Sequence, residues 1–475
     1  MAFTDRLHNR GSISTGYDID NSCKFETANN EWLIRNSPTA GNRKTHTFSF
    51  WIKRTALGSI NASGSQGIIG QGQHGRMYFG SDYFQYRFDD GHDVRDVTTI
   101  FRDTAAWYHI VVAVDTNQAS SSNRVKIYFN GVQTTTIDFD GGSYPDIQDS
   151  SSWFNTNNIT IGTLPFAASY TAGDGDYDMS GYLADFAVVD GTQYAPTDFG
   201  EFDDDSGIWK PKDLSNITWG SEGYYLKFDD SSDLGADSSG NSNDFTLSNI
   251  AAADQATDTP TNNFATINPL FKYPSSQVIT EGATLVTRTS GSGLNKTFYT
   301  TQGVTSGKWY IEAQLSGSHG MIGATTMTSM SSIAPDGTYT GTQSTDIGYY
   351  SYNGQYYIGA SGTSWGAGNW NTTSYIVQIA IDMDNRKIYF GNNNTYQASG
   401  DPSGNSNGIT LPDTSDGYML AFSYDGSGVW KLNTGGYTTI SISSAASDAN
   451  GYGTFEYAPP SGYYALCTKN LAEYG

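Results

Sequence analysis

Positive charge is scarce in this sequence. Its 475 residues include 25 lysines and arginines but 48 aspartates and glutamates, which gives a formal net charge of −23 at pH 7. No basic run is available to neutralise phosphate groups, so we expect neither a nucleic-acid partner nor docking on anionic lipid. Strong acidity favours solubility and often accompanies bound Ca²⁺.

Cysteine and long apolar runs are also rare. The two cysteines, Cys23 and Cys467, do not encode a disulfide framework, and we expect two separate buried thiols rather than a bridge between the chain ends. No run of about 18 apolar residues exists, which predicts no membrane insertion. Residues 1–6 lack the apolar stretch of a secretory signal, so we expect assembly in a cytoplasm.

Helical periodicity is missing as well. The chain is instead rich in glycine, with 54 residues, and in tyrosine, with 33, whereas charged residues make up only 15% of the total. This composition is typical of many short strands joined by turns that contain Gly, Asn, Ser and Asp. The sequence therefore predicts an all-β protein, and its length favours two domains.

Alternating apolar residues predict strands and hairpins in both halves. Residues 45–54 alternate from their third position, and residues 107–131 form two apolar segments that end at the turn dipeptide Asn130-Gly131. Residues 376–391 repeat this plan of strand, turn and strand, with Asp382 where the first half has Asp115. The repeat indicates that the two halves have related sandwich folds.

The composition changes in the middle of the chain, where turn-forming residues and two prolines replace the strand patterns. We place the domain boundary there. The predicted organisation is an N-terminal arm (1–20), a first sandwich (21–228), a linker (229–270) and a second sandwich (271–475).

The first half resembles laminin-G-like domains, which have the concanavalin A-type jelly-roll fold. The segments that carry this resemblance are FSFWIKR (48–54), WYHIVVAVD (107–115), KIYFNG (126–131) and GYLADFAVVDG (181–191). The second half resembles SPRY domains in SGKWYIEAQL (306–315), IGAT (322–325) and IDMDNRKIYFGNNNTY (381–396). It departs from the SPRY pattern at Gly391-Asn392, where the family has Asn-Gly. The resemblance implies two tandem concanavalin A-like jelly-roll β-sandwiches.

The order of these two halves resembles virion proteins of tailed bacteriophages from marine bacteria, such as tail fibres and other appendages. The segment DTPTNNFATINPL (258–270) and the closing GYYALCTKNL (462–471) add to this resemblance. It implies a location in the virion and other virion proteins as partners. We also expect a homo-oligomer; a trimer suits a fibre, although the sequence does not encode the number.

Catalytic motifs are weak. Glycoside hydrolases on the concanavalin A-type fold need two carboxylates at a matched separation on one strand face. The chain offers only the acidic run Glu201-Phe202-Asp203-Asp204-Asp205, which lies between turns, and its six histidines form neither a metal-ligand spacing nor a triad. We therefore predict that the protein is not an enzyme.

Calcium is the candidate cofactor. Asp174, Asp176 and Asp178 alternate within a glycine-containing loop, and carboxylate oxygens in a flexible loop suit Ca²⁺. The alternative is a solvated acidic turn, and the spacing does not match an EF-hand loop.

Aromatic residues in loops are the candidate ligand contacts, because the C–H face of a sugar packs on an aromatic ring while amides bind its hydroxyls. The loop SWGAGNWN (364–371) contains Trp365, Trp370, Asn369 and Asn371, and the predicted hairpin at Asn353-Gly354 is flanked by tyrosines. Among the latter we select Tyr352 and Tyr356. The alternatives are cross-strand packing and contacts between subunits.

These features predict a virion appendage protein that recognises glycans on the host surface. The alternative is a purely architectural virion protein, such as a capsid decoration or a tail accessory, without glycan binding. A receptor role predicts exposed aromatic rings at Trp365 and Trp370, whereas an architectural role predicts rings buried between subunits.

Overall fold

The computed structural model describes residues 16–57, 64–140, 142–165, 177–271, 277–290, 294–332, 338–370, 375–412 and 416–475. The described residues form two compact units, which divide between Thr261 and Asn262. Both units are built from β-sheets, so the chain is all-β, as its composition predicts.

The first unit contains strands β1 to β18. They are β1 (Ser22–Phe25), β2 (Trp32–Arg35), β3 (Thr45–Arg54), β4 (Ser65–Gln71), β5 (Gly75–Gly80), β6 (Tyr83–Arg87), β7 (Asp93–Asp96), β8 (Trp107–Asp115), β9 (Val125–Phe129), β10 (Val132–Gln133), β11 (Ile137–Asp140), β12 (Ile159–Ile161), β13 (Gly181–Asp190), β14 (Gly200–Phe202), β15 (Trp209–Pro211), β16 (Tyr224–Leu226), β17 (Thr246–Ser248) and β18 (Gln255–Ala256). Short 3-10 turns occur at Thr27–Asn29, Ser121–Asn123, Pro196–Asp198 and Ala252–Asp254.

Two eight-stranded antiparallel sheets form this sandwich. One has the order β10-β9-β8-β3-β13-β1-β18, with β16 also paired to β13, and the other has the order β11-β7-β6-β5-β4-β12-β2-β17. Phe50 of β3 stacks on Phe186 of β13 at 5.0 Å between ring centroids, within the core that separates the sheets. The outer face of β13 is buried as well, because Phe199, Leu214 and Tyr225 pack against it in a smaller cluster.

The segment predicted as a linker, residues 229–270, is divided between the two units, with residues 229–261 in the first unit and residues 262–270 in the second. Strand β17 pairs with β2 and β18 pairs with β1, so residues 246–256 extend both sheets of the first unit. Asp258 is buried and accepts hydrogen bonds from Lys53 Nζ at 2.7 Å and from Trp107 Nε1 at 3.0 Å. Beyond the division, Phe264 and Ile267 belong to the cores of the second unit.

The second unit contains strands β19 to β31 and two short helices. They are β19 (Gln277–Thr280), β20 (Leu285–Arg288), β21 (Leu294–Val304), β22 (Lys308–Thr326), α1 (Met327–Ser332), β23 (Ile347–Tyr350), β24 (Tyr356–Ile358), β25 (Ser361–Thr363), β26 (Ile376–Asp382), β27 (Lys387–Asn392), β28 (Thr395–Tyr396), β29 (Ile409–Thr410), β30 (Tyr418–Asn433), β31 (Tyr464–Ala465) and α2 (Thr468–Tyr474). Two 3-10 turns, Pro269–Phe271 and Gln397–Ser399, complete the helical elements of its described residues.

Two long strands organise this unit. Strands β22 and β30 pair along most of their length, with a register shift between Gly317 and His319. The first part of β22 pairs with β26, while its last part pairs with β23. The shift therefore marks the place where β22 passes from one neighbour to the other, and β23, β24 and β25 extend the sheet beyond it.

The predicted hairpins are confirmed. Strands β8 and β9 pair in the first unit and β26 and β27 in the second, and each first strand ends in an aspartate. Asp115 accepts a hydrogen bond from the amide of Asn117 at 3.0 Å, and Asp382 accepts one from the amide of Asn385 at 2.8 Å. Both carboxylates therefore organise the turns that follow them.

The two cysteines are free buried thiols, as predicted. Burial raises the pKa of Cys467 to about 12, so this thiol stays protonated and behaves as a small apolar side chain. Among the described residues, we find no helix that is both long enough and apolar enough to span a membrane.

Candidate binding site

The Asn353-Gly354 turn joins β23 to β24, as the sequence predicts. Gly354 has a left-handed backbone (φ 67°), and a Cβ atom there would lie 2.5 Å from the carbonyl oxygen of Gly368. The indole Nε1 of Trp365 donates a hydrogen bond to the carbonyl of Gly354 at 2.7 Å. The loop before residue 371 is therefore folded tightly against the turn, which requires glycine at position 354.

The structure corrects the expectation for Trp370. Its side chain is only 1% exposed, and its ring lies 5.3 Å from Tyr349 and 5.9 Å from Trp430 in the core. Trp365 is half-buried and meets Tyr349 edge to face at 5.4 Å. The loop folds back over the sheet, so these indoles fill the interior and Trp370 presents no face to a ligand.

The other predicted contacts have different environments. Tyr352 is 57% exposed, Asn369 is exposed, and Tyr356 is half-buried with its ring 6.0 Å from Trp365. Asn371 lies outside the described residues. Of the predicted aromatic residues, Tyr352 is therefore the one whose ring is largely open to solvent.

Tyr352 belongs to a row of aromatic rings that we call the aromatic strip, defined as Tyr339, Tyr357, Tyr350, Tyr352 and His319. Successive ring centroids lie 6.3, 6.0, 5.9 and 4.7 Å apart. These separations are within the range in which aromatic rings pack against one another. The strip is therefore a continuous row of rings, in which Tyr352 is exposed and Tyr350 is buried.

Strand pairing brings the strip together. His319 follows the register shift in β22 and pairs with Asp425 of β30, and Tyr350 closes β23 beside them. The phenol of Tyr350 donates a hydrogen bond to the Asp425 carboxylate. Burial, and then Asp425, raises the pKa of Tyr350 above its ordinary value, so this hydroxyl remains a donor across the physiological pH range.

Amide groups border the strip. Asn353 Nδ2 donates to Gln355 Oε1 at 3.0 Å and to Tyr357 Oη at 3.1 Å. Gln355 Nε2 in turn donates to Ser364 Oγ at 3.0 Å. This network holds the hairpin side chains in place and provides polar groups next to the rings.

The sequence does not reveal that His319 and Tyr339 belong with Tyr352. Both are separated from it in the chain. His319 comes beside Tyr352 through the pairing of β22, β23 and β30, whereas Tyr339 joins the strip through its contact with Tyr357 of β24. The signal that could have indicated His319 is its place between glycines in an otherwise regular strand pattern, since glycine in a strand often marks a bulge.

The calcium prediction concerns a loop that lies mostly outside the described residues, because Asp174 and Asp176 are not among them. Asp178 is buried, and its backbone carbonyl accepts a hydrogen bond from Thr27 Oγ1 at 3.1 Å. Within the part of the chain that the structure describes, no group of three or more His, Cys, Asp or Glu side chains could hold a metal ion.

The acidic run of residues 201–205 and His109, a histidine of strand β8, both have structural surroundings. Lys210 lies 3.5 Å from Glu201 and 3.2 Å from Asp203 on the hairpin of β14 and β15. His109 accepts a hydrogen bond from Trp209 Nε1 at 3.0 Å, and its other nitrogen lies 2.9 Å from Ser49 Oγ. Burial lowers the pKa of His109 to about 3, so this ring stays neutral and bridges the two partners.

One small cavity lies in the interior of the first unit. A cavity of about 10 Å³ in the first unit, lined by residues that include Phe48, Trp153 and Tyr224, holds about one water molecule. This cavity is too small for a sugar.

Comparison with known proteins agrees with this fold. Residues 27–193 match a family model described as the concanavalin A-like lectin/glucanases superfamily, Laminin_G_3. No curated protein matches the chain significantly.

Among solved structures, the chain is similar to three SPRY-type domains. The SPRY domain of human HERC1 has 16% identity and a TM-score of 0.26, over 35% of this chain and 96% of that chain. A human SPRY domain has 15% identity and a TM-score of 0.26, over 33% of this chain and 94% of that chain. The TRIM65 PSpry domain has 10% identity and a TM-score of 0.28, over 35% and 89%.

The family match and the observed sheets show that the first unit has a concanavalin A-like fold, which lectins and glucanases share. The lectin/glucanase-like fold of the first unit suggests a binding module.

Proposed function

We propose that this protein is a virion appendage protein of a tailed bacteriophage, a tail fibre or a similar structure, that recognises glycans on the host surface. The observation that carries the proposal is the aromatic strip with its exposed ring, Tyr352. Such rings present flat faces to the C–H groups of a sugar.

Each part of the site has a role in this proposal. The ring of Tyr352 stacks against a sugar, with His319 beside it at 4.7 Å. Asn353 and Gln355 supply the amides that bind sugar hydroxyls, and Asp425 accepts a hydrogen bond from a hydroxyl group. A shallow surface site of this kind binds weakly, so several copies on one particle supply the avidity.

The virion setting rests on the resemblance of the sequence to phage appendage proteins. In this proposal, the chain is assembled in the host cytoplasm into a particle, contacts other virion proteins, and forms a homo-oligomer such as a trimer. The proposal also includes a calcium ion that binds to Asp174, Asp176 and Asp178 and orders the loop that contains them.

The test measures binding of the purified full chain to a panel of bacterial surface polysaccharides, with calcium and with chelator. We expect saturable binding that Tyr352→Ala weakens about tenfold, because stacking on one ring is worth roughly 1 kcal/mol or more. Tyr83→Ala is the matched control, since Tyr83 is a partly exposed tyrosine of the first unit. Loss of binding in chelator supports the calcium site.

An opposite result has a defined meaning. If the folded wild-type chain binds no polysaccharide, the glycan proposal fails and the architectural alternative replaces it. Detection of the chain in purified particles by mass spectrometry tests the virion location separately, and its absence from them contradicts that part of the proposal.

A further inference from the structure

Lys24, Glu31 and Asp254 form a cluster of buried ionisable side chains in the first unit. The ammonium group of Lys24 lies 2.9 Å from Oε1 of Glu31 and 2.9 Å from Oδ1 of Asp254. The exposed fractions of these residues are 1%, 2% and 6%. Two carboxyl groups thus meet one lysine in an environment from which solvent is largely excluded.

Strand pairing brings the three side chains together. Lys24 lies in β1, which pairs with β13 on one side and with β18 on the other. Asp254 directly precedes β18, and Glu31 directly precedes β2. Because Cys23 and Phe25 contribute to the core of the sandwich, Lys24 lies on the opposite face of β1. The cluster therefore connects residues from near the two ends of the first unit.

The two carboxyl groups differ in their surroundings. Asp254 Oδ2 accepts a hydrogen bond from the backbone N–H of Ala251 at 2.8 Å, which orients the group and polarises its carbon. Glu31 Oε1 accepts from Lys24 and from Asn29 Nδ2, while its Oε2 has no hydrogen-bond partner among the described residues. Burial raises the pKa of Glu31 to about 7 against the opposing charge of Lys24. This carboxyl group can therefore take up and release a proton near neutral pH.

From this geometry we propose that Lys24 and Asp254 become joined by an intramolecular isopeptide bond, with Glu31 as the acid–base residue. The Lys24 amine attacks Cγ of Asp254, so a C–N bond forms and one C–O bond of the carboxyl group breaks. The departing oxygen leaves as water, and Glu31 transfers protons from the amine to that oxygen. An ammonium and a carboxylate together contain the atoms and charges of one amide and one water molecule, so no other reactant is needed.

Two physical effects favour this reaction. The fold holds the amine and the carboxyl group at contact distance, so the reaction is intramolecular and loses little translational entropy. Amide formation also removes two charges from a buried site, where an ion pair retains a large desolvation cost. The bond ties β1 to the segment before β18 and closes a loop of residues 24–254, whatever ligand the chain binds.

The test is a measurement of the intact mass of the purified, denatured full chain. We expect the wild-type mass to be lower than the mass of the sequence by one water molecule. Tandem mass spectrometry of a protease digest should locate this loss in a branched peptide that contains Lys24 and Asp254. That location distinguishes the bond from dehydration at an Asp-Gly dipeptide, such as Asp90-Gly91.

Two variants test the roles of the residues. Glu31→Gln keeps the shape of the side chain and removes the titrating carboxyl group, and Lys24→Arg keeps the positive charge but removes the attacking amine. The matched control is Glu222→Gln, since Glu222 is another buried glutamate of the first unit and pairs with Arg35 at 2.7 Å. We expect the branched peptide in the control, a yield about tenfold lower or less in Glu31→Gln, and none in Lys24→Arg. Circular dichroism verifies that each variant is folded.

The wild-type digest decides on the bond whether or not a variant folds. A folded wild-type chain with the full mass of its sequence and no branched peptide overturns the inference, and it leaves the proposed glycan binding unaffected. A branched peptide that forms equally well in folded Glu31→Gln overturns the role assigned to Glu31.

Discussion

Asp185 is a buried carboxyl group in a left-handed backbone position. Its φ is 43°, and it lies in β13 where the register with β3 shifts between Ala184 and Ala187. Tyr225 donates a hydrogen bond to its carboxylate at 2.6 Å. Burial is the main cause that raises the pKa of Asp185 to about 7, with Asp213 adding to it, while hydrogen bonds from tyrosines and the charge of Lys227 oppose the shift.

This pKa shift predicts how stability depends on pH. Between the ordinary value of 3.8 and about 7, the folded state keeps a proton on Asp185 that the unfolded state loses. The contribution of protonated Asp185 to the free energy of unfolding is therefore complete below about pH 3.8, and it is lost as the pH rises to about 7. The loss amounts to about 4 kcal/mol at most, because each pKa unit corresponds to about 1.4 kcal/mol.

Asp185→Asn should remove the part of the pH dependence of stability that Asp185 causes. Asparagine tolerates a left-handed backbone and still accepts from the Tyr225 hydroxyl. Urea unfolding of the first unit between pH 4 and pH 8 should show a smaller decline in the free energy of unfolding for the variant than for the wild type. An equal decline in both proteins would contradict the assignment, and Asp204→Asn is the surface control.

Trp370 and Tyr352 should contribute very differently to the stability of the second unit. Trp370→Ala should lower the free energy of unfolding by about 3–5 kcal/mol, because it opens a cavity beneath Trp430. Tyr352→Ala should change it by about 0.5 kcal/mol or less, as is usual for exposed positions. Denaturant unfolding measures both, and a mild effect of Trp370→Ala would contradict the buried position.

At the scale of elements, the first unit buries charge between its strands and the segment that follows them. Lys53 of β3 and Asp258 form an ion pair at 2.7 Å, and both side chains are almost completely shielded from solvent. A second buried lysine, Lys24 of β1, lies 2.9 Å from both Glu31 and Asp254. The segment 251–261 thus supplies the carboxylates that neutralise lysines of two central strands.

Asp258→Asn should therefore destabilise the first unit by about 3–5 kcal/mol, since it removes the negative charge that lies 2.7 Å from the buried ammonium group of Lys53. The amide oxygen of the new asparagine can still accept the hydrogen bond from Trp107 Nε1. The measured loss of stability therefore reflects mainly the loss of the negative charge. The double variant Lys53→Met/Asp258→Asn removes that charge and should recover most of the loss. A double variant no more stable than the single one would show that the ion pair is not the cause.

At the scale of the whole chain, each unit has its own core, and the division falls at the end of this neutralising segment. A fragment of residues 1–261 should fold, whereas a fragment of residues 1–228 should not. The shorter fragment lacks β17 and β18, and it also lacks Asp254 and Asp258, which form ion pairs with Lys24 and Lys53. Circular dichroism and amide exchange measure this, and a cooperative folding transition in the shorter fragment would contradict the domain division.

Much of the fold could be predicted from local patterns. The hairpins of β8 with β9 and of β26 with β27 follow from alternating apolar residues and a polar turn, because a strand exposes its side chains to two faces with a period of two. The all-β class follows from the same periodicity together with the glycine and tyrosine content. The position of Tyr352 next to a predicted turn also allowed the sequence to indicate it as a candidate contact.

The sequence by itself determined where strands and turns form, since those depend on neighbouring residues. Only the tertiary structure decided that Trp370 is buried, that residues 246–256 extend the sheets of the first unit, and that His319 lies beside Tyr352. Periodicity shows that two faces alternate along a strand, but not which face another segment covers. That choice depends on strand pairing between residues far apart in the chain, where burial of apolar surface and neutralisation of buried charge select the partner.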